Sequence, residues 1–313
     1  MVMGDWGGKG HAPYTTAPEV GVAHQLGFVA GKVNAAYTLA LGDNFYEHGV
    51  RSVHDDRFRS TFEDVFTNPS LQSKDHFRVL AGNHDHLGNC SAEIAYSAKS
   101  ARWHFPSHYY DFVEQMGSCV RIHHVMIDTV LLSGQSEHPV TGAALPGSAY
   151  LGSADVEAAE AQWQWINTTL AASTADYLIV AGHYPVWSIC EHGPTSGLVK
   201  RLKPILEGAR ASAYLSGHDH CAQYLDEGKG VQYHVVGAGM EYDPSTEHRS
   251  SVPEGALKFY HEAPAHRSSE GAFAHVSISD RGLVVTHYSS HGNKLYEAPP
   301  VQPRTRSDSI FQV

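Results

Sequence analysis

The chain has 313 residues, a net charge of −11 at neutral pH, 42% hydrophobic and 18% charged residues. Such a composition folds around a substantial core. The acidic excess disfavours nucleic acid and anionic membranes as partners, and no run of about 18 apolar residues is present to cross a bilayer. Histidine is the outlier, with 23 copies against 22 Lys plus Arg, so protonation near pH 6 cancels the acidic excess.

The chain opens Met1-Val2-Met3-Gly4-Asp5. No charged and apolar leader is visible, and the strand that would feed the Gly4-Asp5 turn is shorter than the usual length of about five residues, which predicts that an upstream segment is missing. Helix-like stretches are expected at Pro18 to Val33, Asp55 to Phe66, Ala154 to Leu170 and Leu198 to Gly208. In the third of these, Trp163, Ile166 and Leu170 share one face. Between them, buried strands end in a glycine followed by a polar residue. Leu39-Ala40-Leu41 runs into Gly42-Asp43-Asn44, and Val79-Leu80-Ala81 into Gly82-Asn83-His84. Ile179-Val180-Ala181 runs into Gly182-His183, and Tyr214-Leu215-Ser216 into Gly217-His218-Asp219-His220. Alternating strand and helix predicts an α/β fold with ligands at the carboxyl ends of the strands.

Ser133 to Ser153, rich in Gly, Pro, Ser and Ala, reads as a long surface loop. Val231 to Val236, Phe273 to Ile278 and Leu283 to Tyr288 read as strands of a second sheet. Residues 299–313, with Pro299, Pro300 and Pro303, read as an extended tail beyond a single catalytic unit over 1–298. The cysteines Cys90, Cys119, Cys190 and Cys221 form no CxxC pair, which disfavours a cysteine zinc site. Sequons at Asn89 and Asn167 mildly favour a secretory route, whereas Asn68 is disqualified by Pro69.

The five glycine turns together supply hard and borderline metal ligands, and glycine before each lets the backbone bring the side chains to a shared point. These blocks, with Gly182-His183-Tyr184-Pro185-Val186-Trp187-Ser188-Ile189, Glu191-His192-Gly193-Pro194-Thr195 and Gly82-Asn83-His84-Asp85-His86-Leu87-Gly88-Asn89, resemble the purple acid phosphatases of the calcineurin-like metallophosphoesterases, specifically the small tartrate-resistant type. The resemblance implies two packed mixed β-sheets flanked by helices, a four-layer αββα arrangement. It further implies a dinuclear-metal acid phosphatase that hydrolyses phosphate monoesters by metal-activated hydroxide.

In the family pattern a ferric ion takes Asp5, Asp43, Tyr46 and His220, and a second ion, Fe(II), Zn or Mn, takes Asp43, Asn83, His183 and His218. Asp43 is the bridge. Anionic oxygens suit a hard trivalent ion, and only a strongly charged metal keeps the Tyr46 phenol deprotonated in acid. The resemblance gives His84 and His192 catalytic roles, binding phosphate and protonating the leaving group. Asp85 and Asp219 are expected to orient histidines, Asn44 and Tyr184 to line the pocket, and His86 to be structural.

The implied partners are a small phosphomonoester or phosphoprotein substrate and phosphate as product, with no nucleic acid, for a monomer that is secreted or lysosomal/vacuolar. A phosphodiesterase or nucleotidase with other divalent metals is the alternative, and a non-catalytic metal-binding protein is a third. The chain departs from the small mammalian-type pattern where a disulfide is expected, because those positions are Ser133 and Gly197. Cys190 and Cys221 flank two of the motif turns, and either a replacement disulfide or two unpaired thiols fits the sequence. The loop after Ser133 also differs from the family's regulatory loop, so proteolytic activation is not implied.

Overall fold

The computed structural model describes residues 1–117, 120–138, 141, 143–262 and 270–304. Two seven-stranded mixed sheets form the centre. The first contains β1 (Val2–Met3), β2 (Thr38–Leu41), β3 (Phe77–Leu80) and β4 (Trp103–His104) in parallel, and its other strands are β12 (Ala272–Ser279), β13 (Gly282–Ser289) and β14 (Lys294–Glu297). The second contains β5 (Tyr110–Met116), β6 (Val120–Met126), β7 (Tyr177–Ala181), β8 (Ala213–Ser216), β9 (Ala222–Asp226), β10 (Gln232–Val236) and β11 (Leu257–Tyr260). Its strands β6, β7, β8 and β10 run parallel, β5 is an antiparallel edge beside β6, and β9 is antiparallel to both its neighbours, β10 and the other edge strand β11.

Strand β7 shows why these runs are apolar throughout. Ile179 and Ala181 pack into the core between the sheets, with Leu39, Leu41 and Phe77. Leu178 and Val180 pack on the opposite face, with Trp163, Ile166 and Leu170 of α5 (Val156–Ala172) and Leu198, Leu202 and Leu206 of α6 (Ser196–Gly208). A parallel strand covered on both faces needs no polar alternation. On the first sheet, α1 (Ala17–Val33) buries Val22, Leu26 and Ala30. Thr16 and Glu19 cap it reciprocally, each side chain accepting the other's backbone N–H, which satisfies two otherwise orphaned donors.

Three readings change. Strands β12 and β13 join the first sheet, not the second, because β12 pairs antiparallel with the edge of β1 at Val2↔Ala274. The expected helix at Asp55 to Phe66 is a short π-helical turn, Phe58–Glu63, whose Phe58 and Phe62 pack among Trp6, Phe45 and Trp103. The part of the C-terminal tail that is described is fastened. Leu283 and Val301 exchange backbone hydrogen bonds, and the Arg304 guanidinium donates to the carbonyls of Ser173, Ala175 and Ala209. Residues 305–313 and Cys119 lie outside the described residues.

Several of the histidines are buried in the scaffold rather than at the glycine turns. His124 is sandwiched by Phe112 and Tyr37, with Nε2 2.6 Å from the Tyr37 hydroxyl. Burial and the neighbouring His123 push its imidazole from 6.5 down to about 3. Burial likewise lowers His76 to about 4. An imidazole with a depressed folded pKa stabilises above the unfolded pKa and loses that contribution as pH falls through the folded one. Each pH unit between 6.5 and about 3 then costs up to about 1.4 kcal/mol for His124. His124→Phe should therefore unfold less steeply with acid than the wild type between pH 6.5 and 4, measured by urea denaturation. An unchanged slope would remove His124 from the acid limb.

Candidate metal centre

The turns carrying the predicted residues leave the carboxyl ends of parallel strands: Asp5 after β1, Asp43 after β2, Asn83 after β3, His183 after β7 and His218 after β8. Three of them, Asp5 (φ 56°), Asp43 (φ 50°) and His218 (φ 71°), sit in left-handed backbone. Non-glycine residues are held there only when the surroundings over-determine them, and such positions cluster at functional sites.

Two groups of ligand atoms result, each within 4.8 Å internally: Asp5, Asp43 and His220, and Asp43, His183 and His218. Asp43 belongs to both. The Tyr46 hydroxyl lies 2.9 Å from Asp43 Oδ2, 3.1 Å from Asp5 Oδ1 and 2.9 Å from His220 Nε2. Asn83 Oδ1 lies 2.9 Å from His183 Nε2. All seven predicted ligands therefore gather at one place.

The imidazole nitrogens are allocated by their outer partners. A carbonyl or carboxylate only accepts. His183 Nδ1 therefore donates to the Leu41 carbonyl at 2.8 Å, and His220 Nδ1 to Glu241 Oε1 at 3.0 Å. Each leaves Nε2 for an ion, the arrangement that fixes tautomer and ring orientation in metal sites. On His218 it is Nε2 that is engaged, 2.5 Å from the Tyr150 hydroxyl, which leaves Nδ1. The two predicted catalytic histidines are handled alike. Nδ1 of His84 donates to the Glu47 carbonyl at 2.7 Å and Nδ1 of His192 to the Leu145 carbonyl at 3.2 Å, which turns each Nε2 toward chemistry, that of His84 standing 4.0 Å from Asp43 Oδ2. The His84 ring lies over Tyr46, and the His192 ring stacks on His218.

The buried carboxylates of the site face imidazoles and not lysine or arginine. Asp5 and Asp43 are at most 1% exposed, and among the described residues no Lys or Arg forms an ion pair with either. Burial raises the Asp5 carboxyl. For Asp43 burial acts the same way, but His183 and His84 outweigh it and hold the carboxyl low. His183 responds in turn. Burial would lower it, yet Asp43 and Asp5 raise it to about 9. Burial, Asp43 and Asp5 all push the Tyr46 phenol up. Two buried carboxylates and a phenol converging on one point form a donor set that fits cations and is costly without them.

Asp85 and Asp219 hold backbone, not imidazoles. Asp85 accepts from the amides of Gly82, Asn44 and Phe45. Asp219 Oδ1 accepts from the His192 amide at 2.7 Å. Asn44 and Tyr184 are fully buried behind the site. Asn44 Nδ2 donates to the Leu80 carbonyl and to Asp85 and Glu93, and the Tyr184 hydroxyl to the Gly134 carbonyl. Tyr150 and Glu241 were not anticipated. The described part of the 133–153 segment is more than a surface loop, since it leaves the end of α4 (Thr129–Ser133) and brings Leu145 and Tyr150 to the histidines.

Cys190 and Cys221 form a disulfide, which ties the Glu191-His192 turn to the residue after His220. Cys90 is a buried free thiol, which burial holds well above its ordinary pKa. A Cβ built on Gly197 would lie 3.4 Å from Ser133 Oγ, so the positions of the missing family disulfide face each other. The Cys190–Cys221 bridge closes a separation of 31 residues, worth about 3–4 kcal/mol by loop entropy. Reduction under native conditions, or the double substitution Cys190→Ala/Cys221→Ala, should lower the thermal midpoint by several degrees. No change on either treatment would count against a stabilising bridge.

The family model described as calcineurin-like phosphoesterase matches residues 1–222. Tartrate-resistant acid phosphatase type 5 of rabbit is 45% identical over 300 residues, 95% of this chain and 89% of its own. The human protein of the same name gives the same identity and coverage. Purple acid phosphatase 17 of Arabidopsis thaliana is 29% identical, covering 95% and 82%. In fold, GAP50, the anchor in the inner membrane complex of Plasmodium, superposes with a TM-score of 0.78 at 20% identity, covering 98% of this chain and 89% of that one. The chain belongs to the calcineurin-like phosphoesterases, in the branch of the tartrate-resistant purple acid phosphatases.

Proposed function

We propose that this chain hydrolyses phosphate monoesters in acid as a dinuclear-metal acid phosphatase, with residues 1–298 as one catalytic unit. One ion would be held by Asp5, Asp43, Tyr46 and His220 and the other by Asp43, Asn83, His183 and His218. The observation that carries this reading is the sharing of Asp43 by two largely buried ligand groups. We assign ferric iron to the Tyr46 side, because three anionic oxygens suit a hard trivalent ion, and Fe(II), Zn or Mn to the side with mostly neutral donors.

When bound, the ion pair supplies a nucleophile from water below neutral pH and offsets the phosphate charge. The protein's own part is orientation and proton delivery. Glu241, Leu41 and Tyr150 fix the ring positions of His220, His183 and His218. His84 and His192, each anchored through Nδ1 to a carbonyl, present Nε2 as a donor to phosphate oxygens when protonated and as the acid for the leaving alcohol.

A secreted or lysosomal/vacuolar location agrees with the disulfide, which persists in oxidising compartments, and with the exposed sequon residues Asn89 and Asn167. The test is a paired assay on the iron-loaded enzyme with a nitrophenyl monoester and the corresponding diester. Faster monoester turnover in acid, with a visible absorption band that disappears in Tyr46→Phe, is the expected result. Preferential diester cleavage by a colourless protein would favour a phosphodiesterase instead.

A further inference from the structure

Among the described residues, and outside the seven ligands and His84 and His192, one further group of side chains has the composition of a metal site. His86 ends the short helix α2 (Asn83–His86), His108 lies in the bend before β5, and Asp128 caps the N-terminus of α4. His86 Nε2 is 2.8 Å from Asp128 Oδ2, and His108 Nδ1 is 3.2 Å from the same oxygen. The two rings stack at 5.7 Å with 30° between their planes. One nitrogen of each and a carboxylate oxygen all lie within 4.8 Å of one another.

The parts differ in a way that suits an ion. Asp128 is fully buried and rigidly held, Oδ1 accepting from the Leu131 amide at 2.9 Å while its backbone exchanges two hydrogen bonds with the Gln162 side chain. Its carboxyl is kept well below the ordinary range, because His86 and His108 outweigh the effect of burial. His86 and His108 are 21% and 39% exposed at the side chain, so an ion can enter from solvent and the rings can adjust. Among the described residues no Lys or Arg forms an ion pair with Asp128.

We infer that His86, His108 and Asp128 form a third cation site, separate from the phosphate centre, that takes a borderline divalent ion of the zinc type. Two imidazole nitrogens and one carboxylate oxygen are a common zinc donor set, with a remaining position for water. With bonds of about 2.0–2.1 Å, tetrahedral ligands stand about 3.3 Å apart. The two separations from Asp128 Oδ2, 2.8 and 3.2 Å, reach that spacing with shifts of a few tenths of an ångström, and the third, between the two imidazole nitrogens, is at most 4.8 Å. The Asp128 partners Leu131 and Gln162 supply the outer support such sites need. A bound ion would cross-link the turn carrying Asn83 and His84 to the bend before β5 and the start of α4, so it should also stabilise the chain.

The test uses the full chain with its dinuclear centre already loaded and quantified, and zinc as the probe. After equilibrium dialysis against zinc, wild type should carry one more zinc per chain than His108→Phe, whose affinity for that ion should fall about tenfold or more. Zinc should raise the thermal midpoint of wild type and leave that of His108→Phe unmoved. Retained phosphatase activity in His108→Phe shows that the variant is folded. Independently, a zinc-soaked crystal of wild type should show an anomalous scattering peak bonded to His86 Nε2, His108 Nδ1 and Asp128 Oδ2. Equal zinc content in the two proteins, or no such peak, overturns the site and leaves a plain hydrogen-bonded triad.

Discussion

Asp43→Asn should lower kcat/KM for a phosphate monoester by about three orders of magnitude or more, while the protein still folds. The substitution keeps shape and removes one charge. Asparagine tolerates the left-handed backbone that Asp43 adopts at φ 50°, and it can still accept the His84 amide, which reaches Asp43 Oδ1 at 3.0 Å. What it loses is the second anionic oxygen. Oδ2 lies 2.9 Å from the Tyr46 hydroxyl and 3.4 Å from His183 Nε2, between the two ligand groups. An amide nitrogen in that place would point donors at cations. The metal content should fall below two ions per chain by elemental analysis, with the thermal midpoint of the metal-free protein unchanged or higher. Wild-type phosphate release from this variant would show that the centre is not catalytic.

Gly82→Ala should be strongly damaging to the site, although the added methyl would face no solvent and carry no charge. A Cβ at Gly82 would stand 2.2 Å from Asp43 Oδ1 and 2.5 Å from the Asp43 backbone nitrogen. The backbone there cannot retreat, because the turns after β2 and β3 touch directly. A Cβ on Gly42 would in turn lie 2.6 Å from the Gly82 nitrogen. Relief must come from separating the two turns, which moves Asp43 away from Asn83 and His84. Overpacking of this kind costs about 3 kcal/mol, and a displacement of about 1 Å at a catalytic group costs about a hundredfold in rate. Urea denaturation and kcat/KM should both register the change. A variant with unaltered stability and rate would mean that the two turns are not in contact.

Five of the seven ligand residues, Asp5, Asp43, Asn83, His183 and His218, were legible because each follows a glycine at the end of a strand, where the chain must turn sharply and where α/β sheets present ligands; Tyr46 and His220 were legible only through the family resemblance of the same turns. The buried parallel strands were legible for a related reason, since runs such as Leu178 to Ala181 are apolar on both faces. What escaped was whatever depends on contacts between distant segments. Strand β5 alternates more and less exposed residues and carries charged side chains, and the otherwise buried β6 is interrupted by Arg121, His123 and His124, so the apolar signal of the hairpin is weak. Nothing local in 272–289 tells which sheet it joins, because that choice is made by the open edge of the two-residue strand β1. The Cys190–Cys221 pairing was undecided because it requires two turns 31 residues apart to meet. Tyr150 and Glu241 act only through His218 and His220, and neither belongs to a motif. Asp85 and Asp219 stand beside histidines in sequence, yet their carboxylates turn to backbone amides in neighbouring turns.

The arrangement of ions around residue 43 is open to direct observation by crystallography of the loaded protein, with anomalous data at the iron and zinc edges. Two peaks about 3.5–4 Å apart, both bonded to Asp43 and one of them bonded to the Tyr46 oxygen, are the predicted result. A lone peak, or a pair in which the Asp43 carboxylate reaches just one ion, would contradict a centre built on a shared carboxylate.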